Sequence, residues 1–586
     1  MDAFVQPLYE LADFDAIIRQ LKKPGIVQVS GCLDSQKAHF TNGLLREFPF
    51  RLIVAENDLK AKAFYEDFRL YDPEVLYYPA RDLIFYQADI HGNLLTRQRI
   101  QVLRALLERE EVTIVTSIDS CLDCLVPLAV WKEKVIKIRN DSEIDLDRMK
   151  RHLLELGYEW AAQVEVPGKF SIRGGIMDVF SLTEDNPWRI ELWGDEVDSI
   201  RSFDAESQRS IENLEEITIY PATEVVLDKE TIRQGIKAIE KEAQKSQKKF
   251  RDEMKTEEGA RVRQIAAELK DQLEEMEHIA GAESFVRYFY KKTESLLEYL
   301  PENTLVVIDE PNRLTEHAKT TEEEFRESMI HRLEKGYLLP GQMEVIRNHQ
   351  EVVHRFHQMH TLSLSTMEPR GTGWNFTMEM QLTVKSVNPY NNSFEMLVKD
   401  LLRWKKSGYR MLLLSPSRTR AARLAKDLQD QELSAFYSED PEELIQPGQI
   451  KVTWGRVSRG FEYPMVKYVV ISETDIFGKE KKKKRKKSQY SGKQIQSFSE
   501  LSVGDFVVHE NHGLGVYRGI EKMEVDGVVK DYIKIEYAGK SNLYILATQL
   551  DVLQKYAGSD AAKAPKLNKL GGQEWKKTKT KVRGAV

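Results

Sequence analysis

The sequence predicts a multidomain α/β chain with a β-rich insert and a small all-β unit near its C-terminal end. Three observations carry that prediction. At 586 residues the chain exceeds what one hydrophobic core can serve, so roughly three to five domains are expected. Short apolar runs alternate with amphipathic helical stretches through 1–126 and again over about 378–475, the rhythm of parallel sheets with crossover helices. Between and after them lie stretches with period-two alternation and glycine turns, the pattern of antiparallel strands.

Composition narrows the function classes. A net charge of -7 with 31% charged residues gives no bulk signal for nucleic acid, so any such contact needs a local patch. No apolar run reaches the length of a membrane span. The opening MDAFVQPLYELADFD is acidic and amphipathic, unlike a secretory signal. Three cysteines in so long a chain suit a reducing, cytoplasmic location. Cys121 and Cys124 form a lone CxxC without a second pair or a nearby histidine, and read as ordinary cysteines after a strand rather than a zinc or redox site. His509 and His512, in HENHG, lack a metal-binding spacing and read as turn residues. No metal site is expected.

The first domain, 1–126, carries strands at Ile26–Val29, Arg51–Ala55, Val75–Tyr78 and Val112–Thr116. Helices at Leu59–Leu70 and Leu95–Glu108 separate them. The first strand runs into Gly31-Cys-Leu-Asp-Ser-Gln36-Lys37-Ala38. A P-loop here would wrap phosphate in glycine N–H groups, reach it with lysine and hold magnesium with a hydroxyl. Gly31 and Lys37 stand at the right spacing; Gln36 replaces the second glycine and Ala38 the hydroxyl residue. Asp34 adds negative charge where phosphate would sit. Asp309-Glu310, ending the apolar run LVVIDE, still resembles the acidic pair that positions magnesium and water. The lobe therefore reads as a degenerate, RecA-like P-loop scaffold with no catalytic residue and no bound ATP.

The insert, 127–217, centres on GKFSIRGGIMDVFSLTEDNPWRIELWGDEVDSIRSFDAESQRS (168–210). Strand alternation turns Ile190 and Leu192 inward and puts Arg189 and Trp193 on one outer face; Arg173 faces away from Ile172 in the same way. Arginine and tryptophan are the types enriched at binding hot spots. Charged helices at 228–300 and the strand at 305–310 fall within 218–345, which completes the first α/β domain. A second α/β domain is expected over 346–477, with strands at Tyr409–Leu414, Ile450–Thr453 and Tyr468–Ser472. KEKKKKRKK, with eight basic residues and one acid, marks a linker at 478–498. Residues 499–557 alternate as strands around Asp526-Gly527, a strong hairpin signal, and suggest an SH3/Tudor-like barrel with an exposed edge. The basic helical stretch 558–586 has no stop signal and reads as the start of a linker into a longer chain.

Together these motifs resemble the N-terminal portion of the bacterial transcription-repair coupling factor family. RGGIMDVF followed by RIELWGDEVDSIRSFDAESQRS, and SRGFEYPMVKYVVISETDIFG, are similar to segments of the repair protein UvrB. VVHENHGLGVYRGI resembles the CarD-like RNA polymerase interaction domain, which UvrB lacks. YQADIHGNLL (86–95) stands where UvrB carries a long DNA-gripping hairpin. The resemblance implies a recruitment platform for nucleotide excision repair, with UvrA binding through Arg173, Arg189 and Trp193. It implies contact with the RNA polymerase β subunit through Met523, with Tyr532 and Ile535 as further candidates. DNA, ATP and magnesium would belong to the superfamily 2 translocase motor of the full-length family protein, and no cofactor to this chain. An active UvrB-like DNA-dependent ATPase and a CarD-like transcription regulator stay open as alternatives.

Overall fold

A computed structural model describes residues 3–81, 93–274, 281–371, 373–478, 503–509, 513–525, 528–538, 541–546, 553–555 and 567. The basic run 479–487, most of 86–95, His512 and nearly all of 558–586 lie outside the described residues.

Seven parallel strands build the first sheet, in the order Phe376–Gln381, Gly25–Ser30, His360–Leu364, Leu305–Asp309, Phe50–Ala55, Val112–Ser117, Leu76–Tyr78. Alternation splits its side chains between two cores. Leu52, Val54, Ile114, Val306 and Ile308 pack with the insert, whereas Ile53, Ala55, Val115, Leu305 and Val307 pack toward the second α/β unit. A parallel sheet covered on both faces needs such continuous apolar strands. The four strands predicted in 1–126 all form, each within a residue of its expected ends.

One expected boundary moves. His360–Leu364 lies inside the first sheet, between Gly25–Ser30 and Leu305–Asp309, and Phe376–Gln381 forms its edge. The second α/β unit therefore begins near 385, not 346. Its six strands run in the order Lys385–Ser386, Phe461–Tyr463, Tyr468–Ile471, Arg410–Ser415, Ile450–Trp454, Ala435–Tyr437. The apolar stretch at 360–364 carries no mark of which sheet it joins; only long-range register decides that.

The insert holds a six-stranded sheet, ordered Ser210–Leu214, Glu196–Phe203, Trp188–Trp193, Ile176–Val179, Lys169–Arg173, Glu159–Trp160. Ile136–Arg139 and Glu216–Ile219 pair where the chain enters and leaves it. A buried ion cluster ties the insert's exit to the first sheet. Arg99, with no exposed surface, donates to Glu224 at 2.8 Å and to Asp123 at 2.9 Å, and Arg81 also pairs with Glu224. Burial works against ionisation of Glu224, but the two guanidiniums prevail and hold its pKa at about 2. Helices Lys229–Asp252 and Thr256–Glu274 form a hairpin whose apolar stripe packs with Phe325 and Met329 of helix Pro311–Glu334.

The C-terminal β unit is a five-stranded antiparallel sheet, ordered Asn542–Leu546, Val528–Glu536, Gly513–Val525, Phe506–His509, Leu553–Lys555. Val525 pairs with Val528 across the predicted hairpin turn. Among the described residues no pairing joins the two outer strands.

Candidate docking face and sealed phosphate cradle

The segment read as a degenerate P-loop follows strand Gly25–Ser30, and its lysine is paired internally. Gly31, at φ 82°, turns the chain out of its strand; a Cβ there would meet the Leu382 carbonyl oxygen at 2.1 Å. Helix Asp34–Asn42 follows. Lys37 is 1% exposed, and its Nζ lies 2.5 Å from Asp309 Oδ1 and 2.7 Å from Glu310 Oε1. Burial would push the Lys37 pKa down; the two carboxylates outweigh it and leave the ammonium above its ordinary value. Glu310 Oε1 also accepts from the N–H and hydroxyl of Thr366, at 2.8 and 2.7 Å.

Gln36 does more than occupy a glycine position. Its Oε1 accepts from the Leu33 N–H at 3.1 Å, and its Nε2 donates to the Tyr463 hydroxyl of the second unit at 2.8 Å. One N–H that a P-loop would turn toward phosphate is thus capped by the protein's own amide. Ser35 Oγ donates to the Arg459 carbonyl, and the Ser458 N–H and Oγ both donate to Asp67. His39 fills the space between, bonded to Tyr463 and to the Phe4 carbonyl and ringed by Tyr71, Phe461 and Tyr468. Its burial holds it neutral, with a pKa of about 4. The two α/β units are therefore packed together beside the Lys37–Asp309–Glu310 cluster. Asp34 stays at the surface, 3.5 Å from Lys60, and Ala38 is buried.

On the insert, three adjacent strands bring the predicted residues to one face. The Arg173-Gly174-Gly175-Ile176 turn uses Gly174 at φ 59°, and Gly175 lies against strand Trp188–Trp193. Asp178 pairs across the strands with Arg189. It is 1% exposed and accepts from Arg189 Nε at 2.7 Å, Arg189 Nη2 at 2.9 Å and Arg173 Nη2 at 2.9 Å. Arg189 also donates to Gln208 and stacks over Phe203 at 4.5 Å.

The three predicted residues are not equivalent. Trp193 is 84% exposed and the Arg173 side chain 52%, but the Arg189 side chain is only 19% exposed. Arg189 acts as a strut that holds Asp178, which in turn holds Arg173. Exposed Ile176 shares the face and enlarges its apolar part. Sequence reasoning passed over Asp178. Its signal was an acid at an outward strand position between two arginine-bearing strands.

In the C-terminal sheet, strand Gly513–Val525 pairs with Phe506–His509 only from Gly513 to Val516. From Arg518 to Val525 its second main-chain edge has no strand partner among the described residues. Met523 sits on that edge, opposite Lys530; its side chain lies outside the described residues. Ile535 has no exposed surface and belongs to the sheet's small core, and Tyr532 is 8% exposed. The two lie on opposite faces of the strand, and each is buried, which leaves little of either side chain at the surface. Ile520, exposed on the open edge, was missed.

Cys32, Cys121 and Cys124 are buried free thiols, and burial raises the pKa of each. Among the described residues no cluster of metal-ligating side chains occurs, and no helix is long and apolar enough to cross a membrane.

Comparison with known proteins bears on both surfaces. Residues 136–225 match the UvrB interaction domain, and residues 501–557 the CarD-like/TRCF RID domain. A transcription-repair-coupling factor of Bacillus subtilis is 34% identical over the whole chain, which covers 50% of that relative. Proteins of the same name from Staphylococcus epidermidis and Staphylococcus aureus are each 30% identical, over 96% and 91% of this chain and 47% and 45% of theirs. The chain thus spans about half the length of the curated relatives it matches. Along its whole length the chain is similar to transcription-repair-coupling factors, and it matches both domain models.

Proposed function

We propose that this chain is a recruitment platform that joins RNA polymerase to the excision-repair protein UvrA. The observation that carries this reading is Trp193, 84% exposed beside Arg173 on the outer face of the matched UvrB interaction domain. A large aromatic held in water by a rigid sheet, flanked by a guanidinium, has the composition of an interface anchor. The polymerase contact is assigned to the open edge Arg518–Val525, where a strand of the β subunit would add to the sheet by main-chain hydrogen bonds, with Met523 and Ile520 giving selectivity. Closure of this sheet into an SH3/Tudor-like barrel forms part of the same proposal.

The decisive experiment is retention of purified UvrA by the immobilised chain. Arg173→Ala combined with Trp193→Ala is the informative variant, because both side chains are exposed and Arg189 still holds Asp178. Retention unchanged in that variant would refute the assignment of the face. Arg189→Glu is a poor probe, since it would set a second carboxylate against buried Asp178.

We further propose that the cradle binds no nucleotide and that this chain, acting by itself, turns over no ATP. Any translocase activity of the whole protein would then use another nucleotide site. The support is the closed Lys37–Asp309–Glu310 cluster together with the Gln36 cap. Phosphate release in the presence of damaged duplex DNA should stay at background, and should remain there in Gln36→Gly/Ala38→Thr, which restores the motif but leaves the ion cluster. Turnover by either protein would favour the ATPase reading.

A further inference from the structure

Helix Lys229–Asp252 sorts its charges by direction. Its sequence mixes signs, with KAIEKEAQKSQKK at its centre. Its apolar stripe, Ile232, Ile239, Ala243 and Phe250, is buried in the helical core. The two acids of its interior are turned to the flanks and held there. Glu240 pairs with Lys270 of the neighbouring helix at 2.9 Å, and Glu242 accepts a hydrogen bond from Tyr288. What faces water is cationic. Arg233, Lys237, Lys241, Lys245, Lys248 and Arg251 are all exposed. At about 100° per residue they fall within an arc of about 120°. Only Gln234 and Gln244 lie between them on that arc. Acids return at the helix ends, where Glu230 pairs with Arg233, and Glu253, beside Asp252, pairs with Lys255.

Lys237, Lys241, Lys245 and Lys248 make no ion pair among the described residues. They extend about 16 Å along the helix axis. Helix Pro311–Glu334, also 24 residues long, shows the ordinary solvated arrangement: Lys319 pairs with Glu323, and Arg326 with Glu322, within the helix. Like charges at i,i+4 spacing disfavour a helix, and a row of anions laid against them turns that cost into attraction. Three features select the partner. The arc has no exposed apolar or aromatic side chain to anchor a protein interface or enter a membrane surface. Its central charges are lysines, compact point charges that meet phosphate oxygens without a fixed fork geometry. Their even steps, about 6 Å for each i,i+4 pair, suit a backbone that repeats one charge per nucleotide. The chain as a whole carries -7, so this stripe is the local patch that contact with nucleic acid requires.

We propose that the outer face of helix Lys229–Asp252 binds the phosphate backbone of a nucleic acid, without reading its sequence, through Lys237, Lys241, Lys245 and Lys248. The surface is distinct from the Trp193 face and from the open sheet edge, and it does not depend on either assignment.

The test is titration of the full chain into a short fluorescent DNA duplex, followed by polarisation over a salt series. The variant replaces the four lysines by alanine. The control replaces Lys132, Lys150, Lys399 and Lys426, exposed on other helices, in the same way. Binding at low salt should fall at least tenfold in the variant and less than twofold in the control. The slope of log K against log salt should flatten by about 3 to 4 in the variant, since each lost phosphate contact removes about 0.9. The basic run 479–487 is common to all three proteins, so their differences report the helix. A photo-crosslinker on Gln244→Cys should capture the duplex, and one on Glu323→Cys should not; the native thiols are buried and stay unlabelled. Absence of duplex binding by the parent, equal losses in variant and control, or no cross-link at 244 overturns the proposal. Poly-glutamate bound as tightly as the duplex, and lost in the same variant, also overturns it and assigns the stripe to an acidic protein. A circular-dichroism melt of each protein separates loss of the site from loss of the fold.

Discussion

The cradle and the docking face are built from the same materials and end in opposite states. Each sets cationic side chains around buried carboxylate. At the cradle, Lys37 spends its ammonium on Asp309 and Glu310, and Gln36 caps the nearby N–H, so little is left to recognise a ligand. On the insert, Asp178 has two arginines, one of which is surplus to its needs and reaches solvent, beside an exposed tryptophan. Internal neutralisation converts a binding site into a structural joint; a spare charge on a rigid strut makes a docking surface. The joint also bonds the two α/β units to each other, through Gln36 and His39 to Tyr463.

The sharpest way to break this contrast is to remove Lys37. Lys37→Met should cost about 3–5 kcal/mol, because two buried carboxylates lose their counter-charge. Chemical denaturation followed by circular dichroism measures it, and a cost under 1 kcal/mol would mean that the ion cluster is not the joint described.

The next effect is acid sensitivity at the same joint. The folded-state pKa of His39 is depressed to about 4, so the unfolded chain binds the extra proton first as pH falls below about 6.5. Stability should decline between pH 6.5 and 4 by an amount on the order of 3 kcal/mol, and the His39 share should be complete below that window. Asp67, raised to about 6 by burial, opposes the trend, since its folded form regains stability as it protonates. The His39 contribution is therefore read as the difference between parent and His39→Gln, whose pH slope should be shallower.

On the insert, Arg189→Ala should cost about 1–3 kcal/mol, because Asp178 then keeps only Arg173 as a charged partner. UvrA retention should weaken with it, rescued partly by Arg189→Lys. The smallest effect on stability belongs to the side chain on which the proposed docking depends most. Trp193→Ala should change stability by less than about 0.5 kcal/mol, because the ring is in water, and yet abolish UvrA retention. A large loss of stability in this variant would place Trp193 in a packing role.

Much of this organisation was legible before any coordinates. Period-two alternation put Arg189 and Trp193 outside and Ile190 inside, and the structure keeps that assignment. Alternation assigns a face, not an exposure, so it could not separate Arg189 at 19% from Trp193 at 84%. That difference arises from Asp178, Gln208 and Phe203, which reach Arg189 from neighbouring strands and a loop. The same limit hid the burial of Tyr532 and Ile535, which depends on what covers each side of a short sheet. The misjudged boundary near 346 has a related cause: an apolar run such as His360–Leu364 suits the interior of either sheet equally well.

By itself the sequence determined the α/β rhythm, the insert's strand faces, the hairpin flanked by Val525 and Val528, and the broken phosphate motif, because each is written in local spacing. Tertiary structure alone decided where Lys37 spends its charge, which arginine is buried as a strut and which is exposed, and which sheet receives the strand at 360. These are contacts between residues as many as several hundred positions apart, such as Lys37 with Asp309 and Gln36 with Tyr463. No local pattern records them, since a side chain's partner is fixed by packing and by the need to satisfy buried charge.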